Sequence, residues 1–180
     1  MRHARVPGET VRHRESQKPQ IDPAGARLAA VRMRALRFSR AEVARVATII
    51  EAHLRPAQLA RAEQVTRRAV YRYYRDTGDA GVDTILLSLA DNLAAWRTAV
   101  REDRWMRRLD AAELLLHHFF ERRQETVSPE LPVDGYDLMR ELGLEPGPKI
   151  GEILDALRES MAAGEIETRE DALGLARKLI

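Results

Sequence analysis

The sequence predicts an all-α fold, a multi-helix array joined by short loops behind a disordered N-terminal lead. Three observations carry that prediction. Apolar residues recur at helical spacing in nearly every segment after residue 21. Capping residues and prolines stand where those segments begin and end. No segment shows sustained apolar–polar alternation closed by a hairpin turn.

Residues 1–21 are polar, lack a period and carry Pro7, Gly8 and Pro19, so they read as an unstructured or non-native lead. Asp22 then caps a helix with Pro23 at its first position, and Leu28, Val31, Ala35 and Leu36 follow at helical spacing. Ser39 and Glu42 have the spacing of a capping box. The helix they open carries Val43, Val46, Ala47, Ile50 and Leu54 on one stripe, and Pro56 limits it. Leu59, Val65, Ala69 and Tyr73 suggest a helix or a broken pair ending near Gly78. Val82, Ile85, Leu86, Leu89, Leu93 and Trp96 form the apolar set of a long helix. Asp110 and Glu113 look like the start of the next, with Leu114, Leu115, His118 and Phe119 inside it. Pro129 and Pro132 mark a connector, and helices are expected over 136–142, 149–163 and 169–179. Gly164 suits the position after a helix end, and Thr168 suits an N-cap. The expected organisation is a lead over 1–21, a helical domain over 22–126 and a C-terminal helical segment over 127–180.

Composition bounds the function. The chain has 180 residues, 44% hydrophobic and 32% charged, enough for a core and a solvated surface. No apolar run approaches the roughly 18 residues a membrane helix needs, and the first 20 residues lack an apolar leader core. A cytoplasmic location and no membrane partner are the expectations. The absence of cysteine excludes disulfides and cysteine–zinc sites. The net charge of +2 hides an asymmetry: residues 1–75 carry 17 Lys and Arg against 6 Asp and Glu, and residues 76–180 carry 13 against 22. A basic half beside an acidic half points to an anionic partner for the first. All basic residues except Lys18, Lys149 and Lys178 are arginine, which forks onto phosphate and stacks on bases. A GC-rich genome would also raise the arginine share, but would not produce the asymmetry.

Catalytic motifs are sparse. The turn at Gly143–Lys149 is not a Walker loop, because no hydroxyl follows Lys149 and no strand precedes it. The backbone N–H groups of the helix starting there could still hold an RNA phosphate, or Gly147 and Pro148 could simply turn the chain. His117 and His118 are helix neighbours pointing about 100° apart, a poor chelating pair, and His118 shares the apolar stripe. No cysteine and no G-x-S-x-G offers a nucleophile. No catalytic or metal-binding residue is therefore assigned. The stretch TRRAVYRYYR, residues 66–75, interleaves Arg67, Arg68, Arg72 and Arg75 with Tyr71, Tyr73 and Tyr74. Arg68, Arg72 and Arg75 fall on one helical face, and tyrosine beside arginine suits stacking on an unpaired base. The alternative is that Tyr73 is core, Tyr74 lies at an interface and the arginines are a solvated face. Arg37, and Arg55 beside His53, are further basic candidates. So is RWMRR at 104–108, although Glu102 and Asp103 dilute it.

One resemblance covers residues 24–179. The pattern G-x-D-L-M, L-G-L-x-P-G-P-x-I-G and G-x-I-x-T-R-E-x-A-L lies at Gly135–Met139, Leu142–Gly151 and Gly164–Leu173. It resembles the C-terminal segment of bacterial CCA-adding tRNA nucleotidyltransferases and related poly(A) polymerases. LLSLADNLAA at 86–95 resembles the last helix of the HD-type domain found in many such enzymes, and residues 25–56 resemble the helices before it. The resemblance implies a helical region that grips tRNA, or another structured RNA, while a catalytic head adds nucleotides. The chain departs from the family pattern as well. It contains no Asp-x-Asp, which in the family holds two magnesium ions, and no His-Asp pair. Ile21 stands four residues before Gly25, where the family often has a histidine nearby, and only Asp91 matches an HD position. Without partners, Asp91 reads as a buried or capping residue. The expectation is a truncated or degenerate copy beginning partway into the HD-type domain. Magnesium and nucleotide would then belong to a separate catalytic head chain. The RNA-binding set is expected to be Arg37, Arg55, Arg67, Arg68, Arg72, Tyr74, Arg75 and Lys149. The competing readings are an HD-type phosphohydrolase relative with altered ligands, and a helical subunit that complements a separate head through an exposed apolar face at residues 24–40.

Overall fold

A computed structural model of the chain describes residues 23–95 and 102–180. The expectations for the lead, for Asp22 as a cap and for Trp96 lie outside the described residues. Every regular element among the described residues is helical. In chain order these are α1 (Pro23–Ala35), α2 (Arg40–Ala52), α3 (Arg55–Leu59), α4 (Arg67–Thr77), α5 (Ala80–Ala95) and α6 (Glu102–Glu121). A π-helical turn (Arg123–Val127) follows, then α7 (Gly135–Leu142), α8 (Pro148–Ala163) and α9 (Arg169–Lys178). Among the described residues, no helix is long and apolar enough to cross a membrane.

Local chemistry sets most boundaries. Ser39 and Glu42 close the capping box of α2, Asp134 and Asp137 that of α7, and Thr168 and Asp171 that of α9. Each box satisfies N–H groups that the first helical turn leaves without partners. Gly143 and Gly164 end α7 and α8 in the left-handed conformation, at φ 66° and 78°, which glycine adopts without strain. The region between Pro56 and Gly78 is a broken pair, the short α3 and the longer α4. The expected start of α6 at Asp110 is corrected to Glu102. The charged run before Asp110 is itself helical, and Glu102 and Asp103 in its first turn favour the helix dipole.

Two apolar clusters form the interior. The first joins Val70, Tyr73 and Tyr74 of α4 to Ile85, Ala112, Leu115 and Val127. The second joins Val133, Leu138, Ile150, Ile153, Leu157, Ile166, Ala172 and Ala176 from α7, α8, α9 and the flanking loops. Helix α4 lies between them and packs against α8.

Helix α1 turns a different face inward from the one its apolar spacing predicts, and α5 departs from its predicted face only in part, keeping Ile85 buried and Leu89 packed on the first cluster. α1 buries Ala26 and Ala30 against α2 and leaves Leu28 and Val31 at 73% and 63% exposure, and Leu36, just past its end, is 56% exposed. α5 buries Gly81, Thr84, Ile85, Ser88 and Asn92 while Leu86 and Leu93 face outward. Short side chains let neighbouring helices approach closely. The Thr84 hydroxyl meets its own need by donating to the Ala80 carbonyl at 2.7 Å. Close approach has therefore outweighed burial of the larger leucines.

Candidate nucleic-acid interface

α4 has two distinct sides. Thr66 caps it by accepting from the Ala69 N–H, and Val70, Tyr73, Tyr74 and Thr77 then recur on the buried side. Arg68, Arg72 and Arg75 occupy another face, as their spacing predicts. That face meets α8. Arg72 Nε donates to Glu159 at 3.0 Å, and Arg75 Nη1 stands 3.6 Å from the same carboxylate. Arg68 Nε lies 3.2 Å from Glu159, off line for a hydrogen bond, so the two interact by charge alone. Its Nη2 donates to Glu165 at 2.6 Å. Three guanidiniums thus converge on one carboxylate that is only 17% exposed. The Glu159 carboxyl is held below its ordinary range, first by the Arg72 hydrogen bond and then by the surrounding guanidinium charge.

The other predicted residues divide into those near this seam and those apart from it. Arg67 donates to the Ala162 carbonyl at 2.9 Å and to the Glu125 carbonyl at 3.4 Å, so its cation sits at the carbonyl end of α8. Arg55 pairs with Asp76 at 3.0 Å, its guanidinium 5.5 Å from the Tyr73 ring centre. Arg37 is exposed in the turn between α1 and α2 at φ 61°, and Lys149 is exposed in the first turn of α8. Neither joins the α4 group.

The stacking role expected of Tyr74 is corrected. Its ring is 2% exposed and its hydroxyl donates to the Leu115 carbonyl at 2.8 Å. Tyr73 is fully buried and donates to the Gly81 carbonyl at 2.7 Å. Burial pushes both phenols well above their ordinary range. Neither ring presents a face to a base. Asp91 is also corrected, because it is exposed near the end of α5 and not buried. Among the described residues, no three His, Cys, Asp or Glu side chains form a group that could hold a metal ion.

The fold also assembles a second basic group. Arg104, Arg107 and Arg108 of α6 line one cleft with Arg61, Ala57 and Ala60 from α3 and the residues after it. The RWMRR stretch signalled three of these arginines. Arg61 carried no sequence signal, because only the crossing of α3 and α6 brings it there.

Residues 24–176 match the family described as tRNA nucleotidyltransferase domain 2. The A-adding tRNA nucleotidyltransferase of Deinococcus radiodurans is 32% identical over 151 residues, covering 84% of this chain and 33% of that protein. The CC-adding tRNA nucleotidyltransferase of Thermus thermophilus is 30% identical over 154 residues, covering 82% and 30%. The CCA-adding enzyme of Streptococcus thermophilus is 32% identical over 111 residues, covering 61% and 23%. The chain spans about a third or less of the length of these relatives. No solved structure gives a significant match.

Proposed function

The chain belongs to the tRNA nucleotidyltransferase family, and on that premise we propose that it is a tRNA-holding helical part serving nucleotide addition at the tRNA 3′ end. The chemistry itself, with its magnesium and nucleotide, falls to a catalytic head. The observation that carries this reading is the grouping of Arg68, Arg72 and Arg75 on one face of α4, where they share Glu159 and pair further with Glu165 and Asp76. Arg72 and Arg75 are 54% and 46% exposed, so they can turn part of their donor set toward a phosphate. Arg55, Arg67 and Arg68 hold that surface in place through their own partners. Phosphate binding of this kind gives affinity and register without reading sequence.

The test is tRNA binding by the full chain across a salt series. The logarithm of the binding constant is expected to fall linearly with the logarithm of salt concentration. The variant Arg72→Gln/Arg75→Gln is expected to flatten that slope by roughly one unit for each phosphate it no longer engages. Glu159 keeps Arg68 as a partner in this variant, so the fold survives and a melting curve can verify it. No tRNA binding at low salt would overturn the reading. An unchanged slope would remove α4 from it.

A second reading, a helical subunit that complements a separate nucleotidyltransferase head, is favoured by α1. Leu28 and Val31, exposed on the side opposite the buried Ala26 and Ala30, continue into the exposed Leu36 just past the helix end and give an apolar patch. A family head domain supplied in trans is expected to sediment with the chain, and Leu28→Glu/Val31→Glu to abolish that complex. Independent sedimentation of the unmodified pair would dismiss this reading.

A further inference from the structure

The cleft between α3 and α6 has a volume of about 340 Å³ and is lined by Ala57, Ala60, Arg61, Arg104, Arg107 and Arg108. Arg104, Arg107 and Arg108 stand at i, i+3 and i+4, so a single face of α6 directs them together. The small Ala57 and Ala60 leave room opposite them, and Ala60 is buried. Among the described residues, no carboxylate lines the cleft itself. Arg107 has Asp103 at 3.3 Å, in a pair more than half exposed on both sides and therefore weak. Asp91 acts on Arg108 only as a more remote charge. Glu63 and Asp110 stand in the adjoining pocket with Arg107 and Ala60, so the four guanidiniums face the cleft with their carboxylates at its margin.

Arg108 is held for this arrangement from behind. With the Asn92 amide oriented so that its oxygen faces the guanidinium, that oxygen accepts from Nη1 at 3.0 Å and Nη2 at 3.2 Å. Asn92 is 8% exposed on the buried side of α5. A guanidinium has five N–H donors in a rigid fork, so two bound to Asn92 leave others to aim into the cleft. Burial and the proximity of Arg61 and Arg104 both disfavour the charged form of Arg108. An anion in the cleft would relieve that repulsion, and arginine's planar fork suits the paired oxygens of a phosphate.

We propose that this cleft is a binding site for two adjacent phosphate groups and that, on the tRNA-holding reading above, those groups belong to an RNA backbone. Asn92 is the positioning residue that orients Arg108. The site is separate from the α4 face, lies on other elements, and needs no displacement of Glu159.

The experiment compares the full chain with Arg104→Gln/Arg107→Gln, both exposed positions whose loss spares the core. Arg177→Gln/Lys178→Gln on α9 removes equal charge elsewhere. Each is titrated with a tRNA transcript over a salt series, and separately with inorganic tripolyphosphate. The cleft variant is expected to bind tRNA at least tenfold more weakly and to lose roughly two units of log–log salt slope, one for each phosphate. The α9 variant is expected to change affinity less than threefold. Tripolyphosphate is expected to compete with tRNA on the unmodified chain, and to bind the cleft variant at least tenfold more weakly. Asn92→Ala and Arg108→Lys are each expected to reproduce part of the loss, the first by freeing Arg108 and the second by removing its fork. Equal tRNA affinities for the cleft and α9 variants would overturn the site and leave the tRNA-holding reading standing. Tripolyphosphate binding that depends on the cleft, without tRNA binding, would support the phosphate site and overturn its RNA source. A chain that binds neither overturns both.

Discussion

Replacing Gly81 by valine is expected to destabilise the fold by about 3 kcal/mol, the upper range for forcing extra carbons into a packed interior. A Cβ at this position would lie 2.7 Å from Thr77 Oγ1 and 2.8 and 2.9 Å from two carbons of the Tyr74 ring. Neither neighbour can retreat. Thr77 is buried and its hydroxyl donates to the Tyr73 carbonyl at 2.7 Å. Tyr74 is enclosed by the first apolar cluster and anchored on Leu115. The Gly81 carbonyl also accepts from Tyr73, so pushing α5 away from α4 breaks a buried hydrogen bond as well. Alanine, which adds only the Cβ, is expected to cost about 1–2 kcal/mol. Gly151→Ala supplies the comparison: it lies within α8 with nothing inside 4 Å of the added carbon, and is expected to be neutral or stabilising by up to about 1 kcal/mol. Urea unfolding midpoints check all three. A Gly81→Val protein as stable as the unmodified chain would mean that α4 and α5 do not cross this closely.

The second large effect is expected at Glu159. Glu159→Lys sets a fourth cation among Arg68, Arg72 and Arg75, where a mostly buried carboxylate stood. The expected loss is about 2–3 kcal/mol, below the range for a fully buried pair because the arginines remain partly exposed to water. Glu159→Gln keeps the shape and removes the charge, and is expected to cost about 1 kcal/mol. The pH dependence has a definite sign. The folded protein holds this carboxyl below its ordinary value of 4.5. Its contribution is therefore complete above that value and is lost as the pH falls through the lower, folded-state value. Thermal melts of the unmodified chain and Glu159→Gln should converge as the solution is acidified. A gap in melting temperature that stays constant from neutral pH to about pH 3 would show that the seam does not depend on this charge.

Much of the fold could be read locally, because its signals are local. Ser39 with Glu42, Thr168 and Gly164 act within one helical turn, and each does in the structure what its chemistry suggests. The inward face of a helix is decided by its neighbours, and there local reading failed. Leu28, Val31, Leu86 and Leu93 look like core residues in one dimension, yet alanine, glycine, threonine and serine are what close packing selected. Tyr74 could have been placed correctly, since Val70, Tyr73, Tyr74 and Thr77 share a helical face. The arginines beside it drew attention to stacking instead. The one-sided grouping of Arg68, Arg72 and Arg75 was legible, but Glu159 was not. It lies 87 positions from Arg72, and nothing in one sequence singles it out among the acidic residues of the second half. Arg61 was missed for the same reason.

Helix α4 belongs to two structural economies at once. Its tyrosines are bricks in one half of the molecule, and its arginines are the mortar for the other. Anyone excising a minimal C-terminal fragment should therefore cut ahead of Thr66, not after the π-helical turn. A fragment starting later would carry Glu159 and Glu165 stripped of their counter-ions, along with a helix α8 whose last carbonyls are without Arg67.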